Sequence, residues 1–353
     1  MALLLPDLSA ILPWYRENKR DLPWRHTRDP YRIWISEIML QQTRVEAVKG
    51  YYKRFLDRLP DVAALASVSD EELMKLWEGL GYYSRARNLK KAAITVCEKH
   101  GGIFPSTYDE VLALSGIGEY TAGAICSFAF GLPYPAVDGN VLRVAARLLD
   151  FDGDILDAKN KKALTAAVAA TQPADAAGDF NQAMIELGAT VCLPNGTPRC
   201  GECPLAARCA ARLAGRESAL PIRKKPAPRK IEERTVLILR IEDRVAIRKR
   251  PDTGLLSGLF EPFCLPARMT LDALSAWLAA RGLSPLYLTP LGEAKHIFTH
   301  LEWHMTGFEV ILSPESAETV LENLSRDLFF APRDEIDGAF AIPSAYRAYR
   351  AFM

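Results

Sequence analysis

From the N-terminus to about residue 215, apolar positions recur every three to four residues, in blocks separated by short Gly-, Pro- and Asp-bearing connections. That period lines one face of a helix. It predicts helices at Tyr31–Gln42, Arg44–Arg58, Asp70–Glu78, Ser84–Lys99, Tyr108–Leu114, Tyr120–Phe130, Val141–Leu149, Lys159–Thr171 and Phe180–Cys192. The punctuation agrees: Asp29-Pro30 supplies a capping carboxylate followed by proline at the first helical position. The opening run, MALLLPDLSAILPWYREN, lacks a basic leader and a cleavage site, and Asp7 interrupts it. It reads as one more amphipathic helix.

The pattern then changes. Residues 216–234, RESALPIRKKPAPRKIEER, are charged and proline-bearing with little periodicity, as a linker is. Beyond them, partial alternation in TVLILRI, RVAIRKR, LYLTPL and LEWHMTGFEVIL predicts strands, with one helix at Leu271–Ala280. The chain is therefore expected to be multidomain: an all-α region over 1–215, a linker over 216–234 and an α+β domain over 235–353.

Composition narrows this picture. Over 353 residues, 49% are hydrophobic and 25% charged, the balance of a soluble globular protein. No apolar run reaches the length of a membrane span, so the expected compartment is the cytoplasm, with no membrane partner. A net charge of +1 gives no prior for nucleic acid, while leaving room for a local basic surface. Seven cysteines without a leader do not suggest a disulfide framework. Four of them fall in CLPNGTPRCGECPLAARC, spaced C-x7-C-x2-C-x5-C at Cys192, Cys200, Cys203 and Cys209. Four thiolates in one short loop can hold zinc or a 4Fe–4S cluster, and composition alone does not choose. Zinc ribbons, however, pair two C-x2-C knuckles, and only one such pair is present.

Three further places carry candidate chemistry. In LSGIGEYTAGA, Gly116 and Gly118 stand at an elbow between two helices. The elbow is either a tight turn or a place where free N–H groups at a helix start can meet a phosphate. Asp138, in PAVDGNVLRV, precedes a helix. A cap alone explains it, and a helix N-terminus should also lower its pKa. Glu37, in YRIWISEIMLQQT, lies on a helix apolar nearly all round. It is either satisfied by an arginine or a backbone group, or it is a carboxyl whose pKa is raised by burial. One carboxyl pushed up and one pushed down is the arrangement of an acid and an ion stabiliser dividing one reaction.

The hairpin followed twenty residues after Gly118 by Asp138 resembles the helix-hairpin-helix base-excision DNA glycosylases. With LPWR at Leu22–Arg25, WISEIMLQQT around Glu37, GLGYYSRARNL at Gly79–Leu89 and VDGNV at Val137–Val141, the chain closely resembles adenine DNA glycosylases of the MutY type. The resemblance implies double-stranded DNA carrying 8-oxoguanine:A or G:A mispairs as the partner of a monomeric bacterial enzyme. It implies Glu37 as proton donor to adenine, Asp138 as the carboxylate facing the sugar, and Asn140 as its buttress. Gln42, Thr43 and Tyr82 match residues that wedge into the duplex; Arg25 and Glu186 fall in or near the adenine pocket. The hairpin glycines Gly116 and Gly118 would grip the DNA backbone.

In related glycosylase/lyases such as endonuclease III a lysine stands where this chain has Tyr120. A phenol cannot form the imine that leads to strand cutting, so a monofunctional enzyme is expected. The family's cysteine pattern is C-x6-C-x2-C-x5-C with a 4Fe–4S cluster; the extra residue here is most simply placed in the Asn195-Gly196-Thr197 turn. RPDTGLLSGLFEPFCLP (Arg250–Pro266) resembles the start of the family's Nudix-like domain. No glutamate-rich metal-binding helix follows it, which argues against pyrophosphate hydrolysis; the resemblance implies a reader of 8-oxoguanine on the opposite strand. Phe298-Thr299-His300 aligns with the family's Phe-Ser-His loop, the hydroxyl kept. A thymine or uracil mismatch glycosylase also lacks the lysine, but such proteins lack the second domain.

Overall fold

Each helix predicted from the apolar period is present in the computed structural model, which describes residues 3–224 and 228–353, with ends displaced by a few residues. Local chemistry explains the boundaries. The Asp29 side chain accepts from Tyr31 N at 2.9 Å and opens the helix Pro30–Leu40. Gly118 caps Glu119–Phe130, and Gly131, at φ 69°, closes it in the left-handed conformation. These two helices pack together. The helix Gly139–Leu148 is buried almost throughout and packs on Ala177–Thr190, joining Phe180, Met184 and Leu187 in one apolar cluster with Val141 and Val144. A short helix, Val62–Ser67, was not expected; Asp61 caps it.

In the C-terminal part, six strands form one mixed sheet: β1 (Lys230–Ile241), β2 (Arg244–Lys249), β3 (Phe260–Leu265), β4 (Tyr287–Ile297), β5 (Leu301–Leu312) and β6 (Leu328–Pro332). Their order is β4-β5-β1-β3-β2-β6. β1 and β5 run parallel, from Lys230 opposite Leu301 to Ile241 opposite Leu312; the other pairings are antiparallel. Alternation along β1 sends Val236 and Ile238 into one core with Trp303 and Tyr346, and Leu237 and Leu239 into another with Leu274 and Phe308. Both faces of the sheet are thus covered, which a period of two permits only when both parities are apolar.

Two expectations are corrected. β1 starts at Lys230, inside the stretch 216–234 read as linker, because Lys230–Arg234 pair with Leu301–Met305; residues 225–227, also in that stretch, lie outside the described residues. The helical region is also not one block in space. The chain divides into two compact units, and Ser69–Ala86 belongs with the C-terminal one.

Candidate active site

Pro30–Leu40 buries Ile33, Trp34, Ile35, Ile38 and Met39, and carries Glu37 inward with them. Glu37 is only 6% exposed. Its Oε2 accepts from the Tyr120 hydroxyl at 2.8 Å. Burial pushes the Glu37 carboxyl up to about 7; the Asp138 charge adds to this, while the Tyr120 hydrogen bond and Arg25 oppose it. Burial likewise holds the Tyr120 phenol well above its ordinary range.

Asp138 caps Gly139–Leu148. Its Oδ1 accepts from the backbone N–H groups of Asn140 and Val141, both at 2.9 Å, and its Oδ2 from Asn140 Nδ2 at 2.6 Å. The expected fall in its pKa is not found. Desolvation pushes the carboxyl up, outweighing the cap, the Asn140 amide and Arg143, which all act to lower it. Asn140 is itself held, its Oδ1 accepting from Arg143 Nη2 at 2.8 Å. Arg143 is buried and also donates to the carbonyls of Gly188 and Cys192.

Glu37, Tyr120, Asp138 and Asn140 line one cavity of about 710 Å³, together with Arg25, Gln42 and Thr43. Glu186 stands behind that wall. It is fully buried and accepts from Arg25 Nη2 at 2.7 Å and from Arg20 through both Nε and Nη2. Burial would raise its pKa, but hydrogen bonds from Arg20 and Arg25 hold it down to about 2. Glu186 is therefore a charge that fixes the pose of Arg25. Sequence reasoning missed Arg20, Arg143 and Gln182, which lines the cavity and accepts from Tyr15 at 3.0 Å. Each acts across a fold contact that no local spacing announces.

The elbow's own residues do not line this cavity, which Tyr120 reaches from the helix that follows. Leu114 and Ile117 are buried, and Ile117 plugs the turn as its apolarity suggests. Gly116 sits at φ 77°, and a Cβ there would come within 2.6 Å of Asn88 Cβ, so no other residue fits. At Gly118 an added Cβ would meet nothing within 4 Å. Its bareness leaves room for something outside the protein at the N-terminus of Glu119–Phe130.

Cys192, Cys200, Cys203 and Cys209 line one small apolar cavity with Val144, Leu148, Leu187 and Arg147. Arg147 Nη1 donates to Cys192 Sγ at 3.2 Å. The donors are soft sulfurs in a dry recess beside a guanidinium, the chemistry an anionic iron–sulfur group requires, yet among the described residues no group of three or more His, Cys, Asp or Glu side chains is placed to hold a metal ion.

The remaining candidates are in the other unit. Phe298 packs edge-on against Trp303, ring centroids 4.8 Å apart, and holds the tip of the β4–β5 hairpin. Thr299 and His300 are exposed there. Tyr82 is 46% exposed, and its hydroxyl lies 3.1 Å from Thr299 Oγ1.

Residues 35–169 match the HhH-GPD superfamily of base excision DNA repair proteins, and residues 234–351 the NUDIX domain family. The adenine DNA glycosylase of Buchnera aphidicola subsp. Baizongia pistaciae is 35% identical over 309 residues, 86% of this chain and 86% of its own. The chain belongs to the adenine DNA glycosylases. It is a base-excision repair enzyme that hydrolyses N-glycosyl bonds. Among solved structures, a thermostable thymine-DNA glycosylase is similar at 32% identity and a TM-score of 0.53, over 58% of this chain and 94% of its own. An endonuclease III trapped as a covalent intermediate with DNA is similar at 25% identity and a TM-score of 0.50, again over 58% of this chain. Among the described residues of this adenine DNA glycosylase, no helix is long and apolar enough to cross a membrane.

Proposed function

We propose that this adenine DNA glycosylase removes adenine mispaired with 8-oxoguanine, or with guanine, from double-stranded DNA and leaves an abasic site with the strand uncut. The observation that carries the reading is the carboxyl pair in one cavity: buried Glu37, raised to about 7, and half-buried Asp138 at a helix N-terminus. A base inside a duplex cannot reach such a cavity, so the adenine must leave the stack, which is easier at a mispair. The Glu37 carboxyl gives its proton to adenine N7. The C1′–N9 bond then breaks and its electron pair leaves with the base. The Asp138 carboxylate faces the cationic sugar, and water adds to C1′ and releases a proton.

One proton divided between two carboxyls settles on Glu37, which among the described residues accepts from Tyr120 alone, whereas Asp138 receives three N–H groups that favour its charged form. Tyr120 supports the uncut product, since its phenol orients Glu37 and cannot form an imine. Gln42, Thr43 and Tyr82 are the proposed wedges, and the elbow of Gly116 and Gly118 the grip on the backbone. Phe298, Thr299 and His300 are the proposed reader of the opposite base. The four cysteines are proposed to hold a 4Fe–4S cluster whose role is structural. Purified protein should then be brown, with iron and acid-labile sulfide in equal amounts; zinc with neither would overturn that assignment.

The deciding assay offers 8-oxoguanine:A, G:A and G:T duplexes to the enzyme. Adenine should be released from the first two, and the strand should break only after hot alkali. Release of thymine instead, or a nick without alkali, would overturn the reading. Thr299→Val removes a hydroxyl and keeps the shape of the side chain. It should slow excision opposite 8-oxoguanine toward the rate opposite guanine and leave the G:A rate unchanged; an equal fall on both would deny Thr299 a reading role.

A further inference from the structure

Ser69–Ala86 is flanked in sequence by helical-region residues, yet it packs with the C-terminal unit through specific bonds. Glu78 follows the helix Asp70–Leu76. Its Oε1 accepts from the backbone N–H of Ile342 at 3.1 Å and stands 3.4 Å from Arg350 Nη2, and its Oε2 is paired with Lys75. Lys75 also donates to the Phe340 carbonyl at 3.1 Å, and Lys249 pairs with Glu71 at 2.6 Å. Four residues beyond Glu78, Tyr82 has its backbone at φ 48°, in the left-handed region. The turn before it is closed from within: Trp77 Nε1 and Arg85 Nη2 both donate to the Gly81 carbonyl.

The turn therefore fixes the backbone shape at Tyr82, but something else must fix the direction in which the whole turn faces. The bond between the Tyr82 and Thr299 hydroxyls is exposed, and a neutral bond of that kind contributes little. The Glu78 carboxylate, with two cations and a main-chain amide, is the stronger fastening, since bonds to charged groups contribute more than neutral ones.

We propose that Glu78 is a positioning residue through which the C-terminal unit aims the Tyr82 side chain at the duplex. The proposal rests on reading Tyr82 as a wedge. It assigns the C-terminal unit a second task besides reading the opposite base: carrying one of the residues that open the stack.

The test uses full-length enzyme and a duplex with 2-aminopurine at the base step beside 8-oxoguanine, whose fluorescence reports unstacking at that step. Wild-type binding should change the signal, and Tyr82→Ala should abolish the change. Glu78→Ala, measured at saturation, should bring the change close to that of Tyr82→Ala and slow single-turnover excision about tenfold, equivalent to ~1.4 kcal/mol. Glu78→Gln keeps an acceptor for Ile342 N and should recover part of the signal, which general loss of stability would not explain. If Glu78→Ala fails to fold, Lys75→Met removes the bond to Phe340 and one cation from Glu78, and should lower the signal in the same direction. A wild-type signal from whichever of the two variants folds overturns the proposal, provided Tyr82→Ala abolishes it. A wild-type signal from Tyr82→Ala overturns the wedge reading itself.

Discussion

Glu37→Gln should abolish adenine release while largely sparing binding to the mispaired duplex. The amide is the same size and still offers an oxygen to the Tyr120 hydroxyl, so the cavity keeps its shape. What it cannot do is give up a proton to the departing base. General acid catalysis of this kind contributes about 10²–10⁴-fold, and single-turnover excision should fall by that order; a near-normal rate would remove Glu37 from the role of acid. The pH profile supplies a second check. The folded-state pKa of Glu37 is raised to about 7, so the protonated, competent form is present below that pH and is lost as pH rises through it. The wild-type single-turnover rate should therefore decline on the alkaline side of about 7, where an exposed glutamate would already have been ionised. A rate rising steadily from pH 6 to 9 would contradict the assignment.

Asp138→Asn should be almost as damaging, for a different reason. Asparagine is as good a helix cap as aspartate, so Gly139–Leu148 should keep its start and the protein its fold. The charge proposed to face the sugar is lost. Preorganised electrostatic groups at a reacting centre are worth about 10²–10³ in rate each, and that is the expected fall in single-turnover excision, with duplex affinity retained. Melting curves that match wild type, beside an undiminished rate, would make Asp138 a cap and nothing more.

Local signals were legible wherever the chain writes them in neighbouring residues. Asp29-Pro30 opens a helix, Asp138 caps another, and the apolar surroundings of Glu37 announce its burial. Ile117 plugs the elbow as its place between two glycines suggests. The strand β3 was not expected, because Pro262 and Glu261 break its alternation; Glu261 is buried there only because Arg248, Arg250 and Tyr346 satisfy it. The direction of the Asp138 shift was misjudged for a related reason. The cap is visible in sequence, but the desolvation that outweighs it comes from elements distant in the chain. Contacts of that kind also decide Arg143, which reaches from Asn140 to the Cys192 carbonyl, and the allegiance of Ser69–Ala86. Periodicity describes which face of an element is dry and says nothing of which neighbour dries it.

Gln42 and Tyr82 both hold left-handed backbone, two of only five such non-glycine positions among the described residues. Conformations of this sort are disfavoured by about 1–3 kcal/mol each, and at Tyr82 the turn is held by Trp77 and Arg85 through the Gly81 carbonyl. If these two residues are the wedges proposed above, folding meets the strain of forming them and the base steps the enzyme inspects do not. The hesitation at each site then lies with the duplex, and a weakly stacked mispair gives way sooner than its neighbours.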